Sequence, residues 1–411
     1  MNLELNLEAY IKIETEWTNL VKTLEEICKN NELALKNYDD YINIKLCEEG
    51  YVEVTYEHPY INIVAQSNAA GPGYFAYVAT LYDAIIKSND EITFSVHDDT
   101  NYFKTRNYST LCHNINKWLK ELLNQFIELD EKDYKGLALF WPDNYYLPKE
   151  KEGYIVTPTG YLNIEEIKNK PIEEIANKVF IWNHIKKDES YYINSAIRLI
   201  TCDCYFDASL FNEQANLNAT RILYYIEKAY SLNNDIAIPY QIYKLLCTTL
   251  SIEPLILQAT ELPEITSYRL TNINYQYDNW IINADGKCEI DYDDNTMILT
   301  SPISETNNKW QYTMYFNGYR FKEAIANTVL EKIGEEIENK KYEKEEYTIH
   351  YSISIIKDMV KDYCCLQAQI VNKEDLLMVN INFDNIEDKD NYIKLIEAIS
   401  ISNIKNEELL H

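Results

Sequence analysis

Glycine is scarce in this chain, nine in 411 residues, and two of the nine flank one proline at Gly71-Pro72-Gly73. Glycine tolerates positive φ and lets another chain or a ligand approach the backbone; proline fixes its own φ and donates no hydrogen bond. A backbone demand is therefore concentrated at this point. Before it, Val52, Val54 and Tyr56, then Ile61, Ile63 and Ala65, alternate as strands do. After it, Phe75, Val78, Tyr82, Ile85 and Ile86 share one helical face. Tyr51 to Ser88 thus reads as a strand pair, a glycine turn and a helix. A glycine turn at a helix start can cradle an anion. No G-x-G-x-x-G and no Lys-Ser/Thr pair follows the glycines, so neither phosphate-binding fingerprint is met. A structural strand-to-helix turn is the favoured reading. The alternative is a binding loop that offers Gly71, Gly73 and Tyr74 to a partner.

Around this stretch helices and strands mix. Trp17, Leu20, Val21, Leu24, Ile27 and Cys28 mark the apolar face of a helix over 15–29, and Ile115 to Ile127 that of another over 112–129. Glu91 to Val96 alternates as a strand. Residues 1–135 are therefore expected to form an α/β unit with a largely antiparallel sheet. Gly136 to Trp141 reads as an apolar strand ended by Pro142, and the turn-rich segment that follows leads to helices over 164–179 (interrupted at Pro171), 219–232 and 242–250. This mainly helical middle region spans 136–261. From 262 to 411 strands dominate, with a helix expected over 320–338, a charged solvated stretch over 335–346, a hairpin of 362–370 with 376–383, and a last helix over 388–401. The fold class expected is α+β, with a helical region between two sheet-bearing parts.

The formal net charge is −28, with 66 acidic against 38 basic side chains. Such a surface repels phosphate backbones and anionic lipid, which argues against nucleic acid and membrane surfaces. It either attracts and steers a basic protein partner or serves only to keep the chain soluble, the favoured reading from charge alone. The nine cysteines are odd in number and mostly single among apolar neighbours, the pattern of reduced thiols in a cytosolic protein. The N-terminus lacks the basic n-region of a signal peptide, and no window approaches 18 uninterrupted apolar residues.

Residues with chemistry to offer are few. His97, Asp98, Asp99 and His113 are the best metal-type set, yet neighbours on a strand point to opposite faces and Asp98-Asp99-Thr100 suits a turn or a helix cap. Neither a metal nor another cofactor is expected. Cys202-x-Cys204 lacks the spacing and the second pair of a four-thiolate site, and adjacent Cys364 and Cys365 are expected on opposite faces of a strand, one inward and one outward. The richest aromatic patch is Trp141-Pro142-Asp143-Asn144-Tyr145-Tyr146, a proline-flanked loop suited to an interface or to a seam between domains. Trp141, Asp143, Tyr145 and Tyr146 are the candidate contact residues for a partner. No G-x-S-x-G, H-E-x-x-H or P-loop occurs.

The run Lys361-Asp362-Tyr363-Cys364-Cys365-Leu366-Gln367-Ala368-Gln369-Ile370, the run Leu376 to Phe383, and Tyr392-Ile393-Lys394-Leu395-Ile396-Glu397-Ala398-Ile399 resemble the closing hairpin and helix of bacterial domains with a PsbP-like α/β sandwich. The resemblance covers residues 290–405. It implies a binding fold without catalytic residues, in a superfamily that includes chaperone-adaptors for secreted effectors. The expectation is a cytosolic protein-binding protein, either a toxin-immunity protein or a secretion-effector chaperone-adaptor. The rival is an enzyme whose site is assembled from distant residues, with His97, Asp99 and His113 as a metal-assisted hydrolytic set.

Overall fold

The structure, a computed structural model, describes residues 3–38, 41–66, 69–132, 136–141, 146–204, 213–262, 265–302, 311–323, 325, 329–344 and 346–401. The α+β class holds: a sheet comes first, helices follow, and a second set of sheets closes the chain. Contacts divide the chain into two compact units, Met1–Trp141 with Glu150–Ser267, and Pro142–Lys149 with Tyr268–His411.

The first unit opens with β1 (Leu5–Tyr10), α1 (Glu14–Asn30), β2 (Ala34–Tyr38), β3 (Tyr41–Cys47), β4 (Gly50–Glu57), β5 (Tyr60–Gln66), α2 (Pro72–Ser88), β6 (Phe94–Asp98), α3 (Tyr102–Thr105) and α4 (Tyr108–Glu131). The strands form one antiparallel sheet, ordered β2-β3-β4-β5-β1-β6. Period-2 alternation sends Ile42, Ile44, Val52, Val54, Ile61 and Ile63 to one buried face, joined in a single core by Leu20 and Leu24 of α1, Val78 and Ile85 of α2, and Leu119 of α4. Tyr82 on α2 is fully buried, and its hydroxyl donates to the carbonyls of Leu5 (2.9 Å) and Ile63 (3.2 Å) on neighbouring strands.

The same unit continues with β7 (Tyr154–Thr157), β8 (Gly160–Asn163), α5 (Ile164–Asn169), α6 (Ile172–Val179), α7 (Glu189–Asp203), α8 (Glu213–Leu232) and α9 (Tyr240–Thr249). Pro171 separates α5 from α6, as a residue without an N–H must. Of the expected strand at 136–141, a short pairing remains: Leu139 N donates to Val156 O and Val156 N to Leu137 O, both at 2.8 Å. Helix α7 links two cores. Tyr191 lies in the sheet core, while Ile193, Ala196, Leu199 and Ile200 lie in a helical core with Ile222 and Ile226 of α8 and Leu246 of α9. The sheet and the helical region, read from the sequence as separate parts, thus lie within one compact unit.

The second unit holds β9 (Asn272–Tyr277), β10 (Trp280–Asp285), β11 (Glu289–Asp293), β12 (Thr296–Thr300), β13 (Tyr312–Arg320), β14 (Glu335–Lys344), β15 (Tyr347–Ile356), β16 (Tyr363–Asn372), β17 (Asp375–Phe383), α10 (Lys389–Ala398) and β18 (Ser400–Ile401). An antiparallel seven-stranded sheet runs β11-β12-β13-β17-β16-β15-β14, and a three-stranded sheet runs β18-β10-β9. Helix α10 lies against β10 and β16, with Tyr392 packed on Phe383 at 4.5 Å between ring centroids. The helix expected over 320–338 does not form among the described residues, and its end together with the charged stretch is the edge strand β14. Cys364 and Cys365 are both buried, contrary to the in-and-out expectation, because both faces of the central strand β16 are covered.

Candidate functional site

The glycine turn meets its own chain. Ile181 N donates to Ala69 O (3.1 Å), Trp182 N to Ala70 O (2.8 Å), and Gly73 N to Trp182 O (2.9 Å). Gly71 has φ +88°, and a Cβ placed on it would lie 2.7 Å from the Phe180 Cβ. A Cβ on Gly73 would lie 2.1 Å from the Trp182 ring and 2.3 Å from the His184 carbonyl. The close approach that the glycines permit is therefore filled by residues 180–184. Tyr74 is wholly buried, and its hydroxyl donates to the Tyr51 carbonyl. As partner-contact residues Gly71, Gly73 and Tyr74 are corrected: they form an internal socket, the structural reading of the turn.

The aromatic loop fares no better as a contact core. Asp143 and Tyr145 lie outside the described residues. Trp141 is half-buried at the end of a segment of the first unit. Tyr146 is 5% exposed in the second unit, its ring 5.8 Å from the Arg269 guanidinium, and Leu147 beside it pairs with Asn274 of β9. A side chain so buried supports its own unit and has little surface for a partner.

Asp98 caps a turn. Its carboxylate accepts from Thr100 N (2.8 Å), Thr100 Oγ1 (2.7 Å) and Phe103 N (2.6 Å) at the start of α3. His97 Nε2 lies 3.2 Å from Asp99 Oδ1 on an exposed rim, and the other Asp99 oxygen accepts from Glu4 N at 3.1 Å. His113 is exposed on α4. No group of three His, Cys, Asp or Glu side chains among the described residues is placed to hold a metal.

What sequence reasoning missed is a buried charge cluster. The β3–β4 turn carries Glu48 and Glu49 to α7 and α8. The Glu48 side chain is 1% exposed and accepts from Lys45 Nζ (2.8 Å), Tyr225 OH (2.6 Å) and Arg221. Glu49 pairs with Arg198, which also holds Asp203. Burial pushes the Glu48 carboxyl up, but Lys45 and Arg221 more than offset this and leave it below its ordinary value. Glu49, with a single cation shared with Asp203, is left above its ordinary value by burial. Lys187 donates from Nζ to Leu46 O (3.1 Å) over the rings of Trp182 (4.8 Å) and Tyr191 (5.0 Å), and burial lowers its ammonium pKa. Every member of the cluster is spent on another part of the same unit, so its work is to join sheet to helices. The only local signal was two adjacent acids in a tight turn.

A cleft of about 620 Å³ opens in the first unit between the β7–β8 hairpin, the end of α6 and α7. It is large enough for a small molecule. Several of its polar side chains serve the chain's own carbonyls: Thr159 Oγ1 donates to Lys178 O (2.6 Å), Asn183 Nδ2 to Phe180 O (2.9 Å) and Asn194 Nδ2 to Phe180 O (3.1 Å). His184 at its rim has Nε2 3.7 Å from Asp188 Oδ2, the residue that caps α7.

The exterior offers contact surface. Glu48, Glu49 and Asp203 are balanced by Lys45, Arg198 and Arg221, so the cluster leaves the acidic excess of the chain to be carried elsewhere. Leu255 and Leu257 are exposed beyond α9 while Ile256 between them is buried. No helix among the described residues is long and apolar enough to cross a membrane.

No protein-family model matches the chain, and no curated protein does. A crystal structure of a protein from Bacteroides thetaiotaomicron is similar at a TM-score of 0.24 and 7% identity, over 30% of this chain and 46% of that one, a likeness too slight to carry a fold or a function across.

Proposed function

We propose that the chain holds another protein, a basic one, as a toxin-immunity protein or a secretion-effector chaperone-adaptor in the bacterial cytosol. The observation that carries this reading is the charge of −28 left outside a self-balanced buried cluster. A field of that sign raises the encounter rate with a basic protein and disfavours nucleic acid and anionic membranes. The resemblance of the closing hairpin and helix to PsbP-like domains points the same way. Cys28, Cys47, Cys112, Cys247, Cys288, Cys364 and Cys365 form no disulfide, which suits a reducing compartment.

The test is co-purification of the tagged full chain from its native lysate at low and high salt. The expected result is one stoichiometric basic protein that is released as salt rises, since attraction between exposed charges is screened over about 8 Å at physiological ionic strength. No stoichiometric partner, or an acidic one held regardless of salt, would overturn the reading.

A further inference from the structure

We propose that the free edge of β11 takes an extended, basic segment of a partner protein by strand addition, and that this segment alternates apolar residues with Lys or Arg. The inference rests on the reading of the chain as a holder of a basic protein and names the place and mode of contact.

Strand β11 ends the seven-stranded sheet, and among the described residues it pairs with β12 alone. All five of its residues are exposed. The outward N–H and C=O groups of an edge strand are a template for another strand. The two faces of this edge differ in chemistry. Ile290 stands opposite Leu299 and Tyr292 opposite Met297, and directly opposed residues share a face. Leu299 and Met297 are fully buried, so Ile290 and Tyr292, 43% and 51% exposed, carry the apolar face of the sheet out to its rim. Glu289, Asp291 and Asp293 stand on the other face, opposite Thr300, Ile298 and Thr296. No ion pair among the described residues involves these three acids or Asp294 in the turn after them. An added strand therefore meets an apolar rim at every second residue. At the residues between, it meets carboxylates spaced about 7 Å apart, two residues of strand rise.

The opposite edge shows what a closed one looks like in the same sheet. Strand β14 has a bulge between Glu336 and Glu338 and carries Lys340, Lys341 and Lys344. It is tied to α10 by Tyr342 OH on Glu397 (2.6 Å) and Lys344 Nζ on the Glu397 carbonyl (2.9 Å). Lysines and bulges are the usual means of blunting an edge. Strand β11 has neither. Its charges are of one sign, which repels a second copy of the same edge and admits a basic strand.

The probe is a fluorescein-labelled peptide, Lys-Val-Lys-Ile-Arg-Val-Lys, titrated against the full chain by anisotropy. Two further versions are N-methylated at the odd or the even residues, which keeps charge and removes half of the N–H groups. The expected result is salt-sensitive binding, weakened at least tenfold by one of the two N-methylated versions and at least tenfold by D291K/D293K. The variant lies on an exposed edge, and its circular dichroism should match wild type. Salt-sensitive binding that D291K/D293K leaves unchanged would overturn the edge as the site while the basic-partner function stands. Equal binding of both N-methylated versions would overturn strand addition. If the peptide does not bind, the edge assignment falls, and if no basic protein co-purifies either, the function falls with it.

Discussion

Glu48 and Glu49 are neighbours in sequence, the first buried and the second largely so, and both pair with arginine, yet their amides should behave differently. Glu48→Gln replaces a carboxylate that accepts from Lys45 on one oxygen and from Arg221 and Tyr225 on the other. An amide has one oxygen, so its NH₂ must face one of these donors, and two cations lose their counter-charge. Removing one partner of a buried pair costs about 3–5 kcal/mol, and about 3 is expected because Lys45 and Arg221 keep partial access to water. Glu49→Gln leaves an oxygen for Arg198, and Arg198 retains Asp203, so a loss of about 1 kcal/mol is expected. At about 2–4 °C per kcal/mol for a domain of this size, thermal unfolding should place E48Q about 4–8 °C below E49Q. The pH dependences should also oppose each other. Glu48 is held below its ordinary value, so its contribution is complete above about pH 4.3 and is lost as pH falls further; the gap between wild type and E48Q should close on acidification. Glu49 is held above its ordinary value, so wild type should gain on E49Q as pH falls from neutrality, and lose that gain as pH rises through the raised value. Equal losses in the two variants, or a gap for E48Q that does not narrow as pH falls below about 4.3, would refute this account of the cluster.

Gly73→Ala should cost more than about 3 kcal/mol, because its methyl would fall on the Trp182 ring and the His184 carbonyl. Gly153→Ala, with φ +76° and open space around it, should cost about 1 kcal/mol, both changes being read by urea titration. Ellman's reagent should react quickly with Cys112 alone in the native protein and with nine thiols in denaturant, since burial pushes Cys47 and Cys288 up to about 12 and Cys28 and Cys365 to about 11. Hydrogen bonds from Lys340, Lys389 and Tyr351 hold Glu338 down at about 2. The destabilisation of Glu338→Gln, read by thermal unfolding at pH 7, should therefore shrink between pH 4.3 and pH 2, where the wild-type carboxylate is lost.

The helices legible in the sequence were those with one wet face. Helices α1 and α4 carry apolar residues at helical spacing opposite Lys and Glu, and both lie close to the expected spans. Helix α7 is not set off in the sequence: none of its residues is exposed, so no charged face opposes the apolar one from Glu189 to Asp203. Strand β14 was misread for the reverse reason: on an exposed edge, charge on both faces erases the alternation that marks a half-buried strand. The closing hairpin and helix, marked by apolar residues at strand and helix spacing, lie within a few residues of the expected spans. The glycine turn was located, but its occupant was not, since nothing near residue 73 in sequence points to residues 180–184. Composition alone marks the aromatic loop, and composition does not distinguish a ring that anchors a partner from one such as Tyr146 that fills its own unit.

The pairing of Glu48 with Arg221 spans 173 residues of sequence. Synthesis at about 5–20 residues per second separates the emergence of the two by roughly 10–35 s. In the middle of that interval, after Asp98 ends β6 and before Trp182 is made, the strands of the first sheet have all been synthesised while the Trp182 socket and both arginines of the cluster are still to come. The sheet can pair, but its turn carries two solvated acids and the start of α2 lies uncovered. A messenger cut between the codons of Asp98 and Trp182 therefore yields a product with the whole sheet but without its socket or either arginine, and the later helices decide whether the first strands are kept.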